Sequence, residues 1–179
     1  KLIKAYLKQE PQALFNIVNL QSSELERQLR ELTFDIVICF NPEGSEVIRK
    51  QVLKKGQMLL ITPPDFRSSK AELDISEISD LPFIRIKNLQ PSESQDSLES
   101  HLRRNKIDLK WVVQTETFEV AKSLVAEGIG FALVDDFSIS QTSLPENVGL
   151  YSFAPRIIYE IGALCNLEKP LSLPATKFV

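Results

Sequence analysis

Glycine is scarce in this 179-residue chain, with six in all, and histidine, tryptophan and methionine occur once each. The glycines are too few and too scattered for a G-x-G-x-x-G or G-x-x-x-x-G-K loop, and neither phosphate-cradling pattern occurs. A single histidine, His101, excludes multi-histidine metal sites and leaves a Ser-His-Asp triad poorly supplied. It falls beside Leu102 on a predicted surface helix, where a solvated or half-buried ring is expected. Asp135 and Asp136 are sequence neighbours, not a pair set across a scissile bond. No catalysis, metal or cofactor is therefore expected.

A basic excess is also missing. Lys and Arg number 21 against 24 Asp and Glu, a formal net charge of −3. A free-standing DNA-binding domain usually carries a basic face, so nucleic acid is not the expected direct partner. No apolar run approaches the roughly 18 residues of a membrane span, and the first residues show no signal-peptide pattern. The two cysteines, Cys39 and Cys165, sit singly inside apolar runs without a C-x-x-C pair. Buried free thiols in a reducing cytoplasm are the simpler reading.

What is present is periodic. KLIKAYLKQE reads as a helix stopped by Pro11, and LFNIVNL (14–20) as a strand. Ser23 and Glu26 fit a capping box opening a helix with Leu25, Leu29 and Leu32 inward, and pairs Glu26–Arg30 and Arg27–Glu31 outward. IVICF, MLLIT, PFIRI, LKWVVQ, FALVD and RIIYEIGAL read as strands, with Trp111 taken as core or lobe packing. Helices are expected over about 94–105 and 117–127, the second followed by Gly128 where a left-handed cap is wanted. Residues 66–80 and 141–149 read as surface loops, the first with a short helical turn near Ile75 to Ile78. Strands alternating with helices predict an α/β fold with a parallel sheet covered on both faces.

Several segments together resemble the effector-binding domain of LysR-type transcriptional regulators. They are LIKAYLKQEPQALFNIVNLQSSELERQLRELTFDIVICF, ISEISDLPFIRI, TFEVAKSLVAEGIGFALVDDFS and LSLPATKFV, and they span nearly the whole chain. The resemblance implies two Rossmann-like lobes joined by two crossing strands, like type 2 periplasmic binding proteins. Lobe I would be 1–81 plus 161–179 and lobe II 82–160. It further implies a non-catalytic domain that binds a small-molecule effector in the cleft between lobes. The partner would be a second copy, in a homodimer or homotetramer, through the first helix and the Ser23 to Leu32 region. DNA would be met only through a helix-turn-helix upstream of Lys1. The family's first lobe I strand is also expected upstream. Two other readings share the layout: a transporter's solute-binding protein, which a signal peptide would favour, and a small α/β enzyme, which turnover of a metabolite would favour.

In open α/β sheets ligands gather outside the carboxyl ends of strands, where helix starts present free N–H groups. Four turns occupy such places. At Ser22–Ser23 the bland reading is that Ser23 caps its helix; the resemblance places effector contacts at this turn and Ser22 among them. Lys87 and Asn88 lie in a loop that is either solvated or, as the resemblance implies, facing the cleft. Thr115 and Thr117 either cap the helix after them or meet the ligand. Asp135 either caps the next turn or, beside Asp136, holds an ammonium or guanidinium group. The run VDDFS resembles the V-D-P-F-T turn of family members that answer to amino acids, which implies an amino-acid-like or carboxylate effector.

Overall fold

The structure, a computed structural model, describes residues 2–18, 24–87, 98–141, 144–168 and 171–178. In chain order the elements are α1 (Leu2–Gln9), α2 (Leu25–Arg30), β1 (Val37–Phe40), β2 (Ile48–Thr62), β3 (Glu72–Asp74), β4 (Phe83–Ile86) and α3 (Leu98–Asn105). They continue with β5 (Trp111–Thr115), α4 (Phe118–Ala126), β6 (Ala132–Asp135), α5 (Asp136–Gln141), β7 (Gly149–Ala154), β8 (Ile158–Asn166) and α6 (Leu173–Phe178). They form two units, residues 1–54 with 161–179 and residues 55–160. The chain passes between units twice, once within β2 and once within β8. The division expected from the sequence set the first boundary at 81/82; here it falls at 54/55. The cause is local: β3 pairs in parallel with β7, and Leu73, Ile75 and Ile78 are buried, so residues 63–81 belong to the second unit.

In the first unit, β1 and β8 pair antiparallel, Val37 opposite Leu164 and Phe40 opposite Ile161. Leu29, Val37, Ile48 and Leu164 are buried together, with Leu25, Phe34 and Cys39 against them. Asn166 Nδ2 ties this layer to α2 by donating to the Leu29 carbonyl at 3.1 Å. Tyr6 of α1 packs edge-to-face against Phe15 and Phe178, and its hydroxyl donates to the Pro174 carbonyl at 2.6 Å. On the outside of α2 the foreseen pairs form, Arg30 to Glu26 at 2.7 Å and Arg27 to Glu31 at 3.3 Å. The expected strand over 14–20 does not. Residues 13–18 carry no regular structure, and Leu14 is 98% and Ile17 74% exposed; residues 19 and 20 lie outside those described. Strand-forming side chains set only a preference, and a strand exists through its ladder. No described strand pairs with this segment.

In the second unit, the latter half of β2 lies between β6 and β7, antiparallel to both, with Met58 opposite Asp135 and Leu60 opposite Tyr151. β4 pairs in parallel with β5, and Phe83 bridges in parallel to Phe131, just before β6. Ile61, Ile84, Ile86, Ala121, Val125, Ala132 and Val134 form the core that α4 covers. Each fully buried Ile or Val of this kind stabilises by about 1.5–3 kcal/mol.

Three sequence expectations are corrected here. The pairing is mixed, not wholly parallel, because an unalternating apolar run reports burial on both faces and says nothing of direction. Trp111 is 55% exposed on β5, whose pairing partner among the described strands is β4 alone, so it is not core. His101 is 8% exposed, held against Phe153 rather than on an open helix face.

Candidate functional site

The carboxyl ends of β4, β5 and β6 point the same way, since β4 is parallel to β5 and bridges in parallel to the start of β6. Lys87, Thr115 and Asp135 stand at those three ends, and Thr117 opens the helix after β5. The backbone joins the first two: Lys87 N–H donates to the Thr115 carbonyl at 2.8 Å. Four of the residues singled out in the sequence therefore share one edge of the second unit. Ser22, Ser23 and Asn88 lie outside the described residues; α2 starts at Leu25 behind Glu24, whose side chain makes no capping bond.

Each turn has a local cause. Thr117 has extended backbone and its Oγ1 accepts the Val120 N–H at 3.3 Å, satisfying one of the donors a helix start leaves open. The Thr115 hydroxyl accepts the Thr117 N–H at 3.4 Å. At the other end of α4, Gly128 takes φ +80°, the left-handed backbone that lets the chain turn at once into β6. Lys87 is exposed and Thr115 half-buried, so both side chains can meet a solute.

The β6–α5 turn is built differently. Asp135 is fully buried. Its Oδ1 accepts the Ser138 N–H at 2.7 Å, which starts α5. Its Oδ2 is buried with no hydrogen-bond partner among the described residues. The cap thus uses one of the two oxygens. Asp136 is fully engaged: Tyr159 Oη donates to Oδ1 at 2.5 Å, and Gln57 N–H donates to Oδ2 at 3.3 Å. Burial, with the Asp136 hydrogen bond and then the charges of Asp135 and Asp136, holds the Tyr159 phenol well above its usual range, so it stays protonated and donates. Gly56 lies directly beneath this contact; a Cβ there would overlap Tyr159 Oη and Asp136 Oδ1. Nearby, Lys55 pairs with Glu160 at 2.9 Å.

Sequence reasoning singled out Asp135, with Asp136 beside it as the second of two adjacent carboxylates, and it missed Tyr159 and Gly56. No local signal reveals them, because Tyr159 is 23 residues from Asp136 and reads as an ordinary strand aromatic. His101 has no place at this edge: its Nε2 lies 3.9 Å from Asp74 Oδ2. Among the described residues no three His, Cys, Asp or Glu side chains group as a metal site, and no helix is long and apolar enough to cross a membrane. Both cysteines are free, and burial raises the Cys39 thiol above its usual range, against a smaller opposing effect of Lys50.

Comparison with known proteins bears directly on this architecture. The C-terminal domain of a probable LysR family transcriptional regulator from Rhodococcus sp. RHA1 superposes with TM-score 0.80 at 16% identity, over 99% of this chain and 88% of that one. The regulatory domain of CcmR from Synechocystis PCC6803, solved in complex with 2-PG, gives TM-score 0.80 at 16% identity, over 99% of this chain and 85% of that one. These likenesses establish the fold, α/β of the type 2 periplasmic-binding-protein kind. In sequence, the HTH-type transcriptional regulator DgcR from a Pseudoalteromonas species is 25% identical over 163 residues, which is 90% of this chain but 55% of that protein. The chain thus spans about half the length of that relative. A family model described as the LysR substrate binding domain matches residues 1–179, and the chain accordingly belongs to the LysR substrate binding domain family.

Proposed function

We propose that this chain is the effector-sensing part of a LysR-type transcriptional regulator and does not turn its ligand over. The ligand is a small carboxylate or amino-acid-like molecule. In this reading it meets the edge formed by the ends of β4, β5 and β6, through Lys87, Thr115, Thr117 and Asp135. Ser22, Ser23 and Asn88 are proposed as further contacts. The observation that carries the reading is the gathering of those four residues at one edge of parallel strands, where α/β folds place their ligands. Binding regulates only if the ligand favours one conformation over another, since equal affinity for both shifts nothing. The parent regulator would act in the cytoplasm as a homodimer or homotetramer and reach DNA through a helix-turn-helix outside residues 1–179.

A thermal-shift screen of amino acids, opines, aromatic acids and sugar acids tests the reading, because a ligand bound to the native state alone raises the melting temperature with occupancy. The expected result is a saturable shift that Lys87→Ala and Thr115→Ala each reduce. Saturable shifts left unchanged by both substitutions would remove the site from this edge.

A further inference from the structure

His101 is the one histidine of the chain, and its ring is held between a carboxylate and an amide that favour opposite charge states. It sits on α3, is 8% exposed and meets the buried ring of Phe153, on β7, edge to face. From β3, Asp74 Oδ2 stands 3.9 Å from Nε2, within ion-pair range and beyond hydrogen-bond range. The other oxygen, Oδ1, accepts the Ser76 N–H at 2.8 Å and the Ser76 hydroxyl at 2.6 Å, which fixes the carboxylate. The next charges out, Glu77 and Lys70, pair with each other at 2.5 Å, and Glu77 also accepts the Asp74 N–H. Arg103 and Arg104 of α3 are exposed, with Arg104 Nε turned to the Ser100 carbonyl at 3.4 Å. On α3 the ring's own neighbour is neutral. Asn105 Nδ2 lies 3.2 Å from Nδ1 and 3.4 Å from Nε2, and it donates to the His101 carbonyl at 2.9 Å. That last bond sets the orientation of the amide, since turning it over would bring two oxygens together.

An amide NH2 can only donate. A neutral imidazole offers it one acceptor nitrogen, and an imidazolium offers none. Asn105 therefore favours the neutral ring and Asp74 the charged one. Burial would raise the Asp74 carboxyl, but the Ser76 bonds and the charge of His101 together hold it below its usual range, in keeping with that attraction. We propose that His101 is a proton-operated latch: the imidazolium ties α3 to β3 through Asp74, and the neutral ring releases Asp74 and rests on Asn105. Closing the ion pair to a charge-assisted hydrogen bond needs an approach of about 1 Å. A proton shifts the docking of α3 because the two partners bind the two ring states unequally. α3 follows the strand that ends beside Lys87 and precedes the one that ends at Thr115. The latch thus acts on the chain between two of the proposed effector contacts without being one of them. It goes beyond the effector reading and stands or falls separately from it.

The experiment follows the ring nitrogens of the full chain by NMR, with histidine isotopically labelled, across the pH range in which imidazoles change charge. The chain has a single histidine, so the curve obtained belongs to His101. On acidification the ring should pass from neutral to imidazolium. The side-chain amide of Asn105 and the backbone amides of Asp74 to Ile78 and of α3 should move with the same midpoint. Asn105→Ala should carry that midpoint to higher pH and Asp74→Asn to lower pH, opposite shifts that a ring serving only as packing would not show. Asp74→Asn keeps the turn after β3, because its amide oxygen can still accept from Ser76. A ring that holds one charge state throughout the range would overturn the latch. So would a titration that leaves the Asn105 and Asp74 signals still, or midpoints that the two substitutions leave in place or move the same way. Should a variant fail to fold, the joint movement of ring, Asn105 and Asp74 in the unmodified protein decides the matter.

Discussion

Replacing Tyr159 by phenylalanine removes a single oxygen from a side chain that is 2% exposed, and the size of the effect depends on what that oxygen does. It donates to Asp136 Oδ1 at 2.5 Å, a bond to an ionised acceptor. Such bonds contribute about 1.5–3 kcal/mol. Asp136 is half-buried, so water recovers part of the loss, and we expect Tyr159→Phe to cost about 1–2 kcal/mol. For a chain of this size that lowers the melting temperature by about 2–8 °C. The pH dependence supplies a second check. Because the folded phenol titrates above its unfolded value, the stabilisation is fully present below the unfolded value near 10 and is lost as pH rises through the folded one. Thermal unfolding of both proteins, followed by circular dichroism from pH 7 to 11, should show a constant gap to about pH 9.5 that narrows above 10. A gap below 1 °C at pH 7, on the scale of about 2–4 °C per kcal/mol, would refute the view that this bond holds the β6–α5 turn to β8.

Three further outcomes are expected from the same packing. Gly56→Ala should cost about 1–3 kcal/mol by overpacking, since the added methyl group would overlap both Tyr159 and Asp136 Oδ1; urea denaturation would show it, and a stability equal to the parent's would mean that the contact is loose. Thr117→Ala removes the cap of α4 and should cost about 0.5–1 kcal/mol, with Thr117→Ser nearly neutral in the same assay. Asp74 titrates lower than usual: burial would raise it, but hydrogen bonds from the Ser76 side chain and backbone, with the charge of His101, outweigh that. Its stabilisation is therefore present above the unfolded carboxylate value near 4 and is lost as pH falls below that. Asp74→Asn should flatten the acid limb of a stability–pH curve between about pH 4 and 2, and an unaltered limb would contradict the assignment.

Where the chain's local rules agree with one another, the sequence was readable. Thr117, the apolar stripe of Ala121 and Val125, Gly128 and the FALVD run each state their structure within a few residues, and α4 and β6 form accordingly. The pairs on α2 were equally plain, because helical spacing alone brings Glu26 to Arg30. The first ten residues of β2 gave no such signal. Ile48 to Gln57 include Arg49, Lys50, Lys54 and Lys55 and are mostly exposed, so neither burial nor alternation marks them as strand. The segment 14–20 erred the other way, with the right composition and no described strand to pair with. At the site, the sequence showed which residues end strands but not that β4, β5 and β6 end together. Pairing direction is a tertiary property, and so is the meeting of Tyr159 with Asp136.

The claim that the shared edge of β4, β5 and β6 is the receptor is tested most directly by amide NMR of the isotopically labelled chain, titrated with a ligand found by thermal shift. Lys87, Thr115 to Phe118 and Asp135 to Ser138 should move together along a single saturation curve. Saturable movement confined to α1, α6 or other residues of the first unit, with those three turns still, would contradict it.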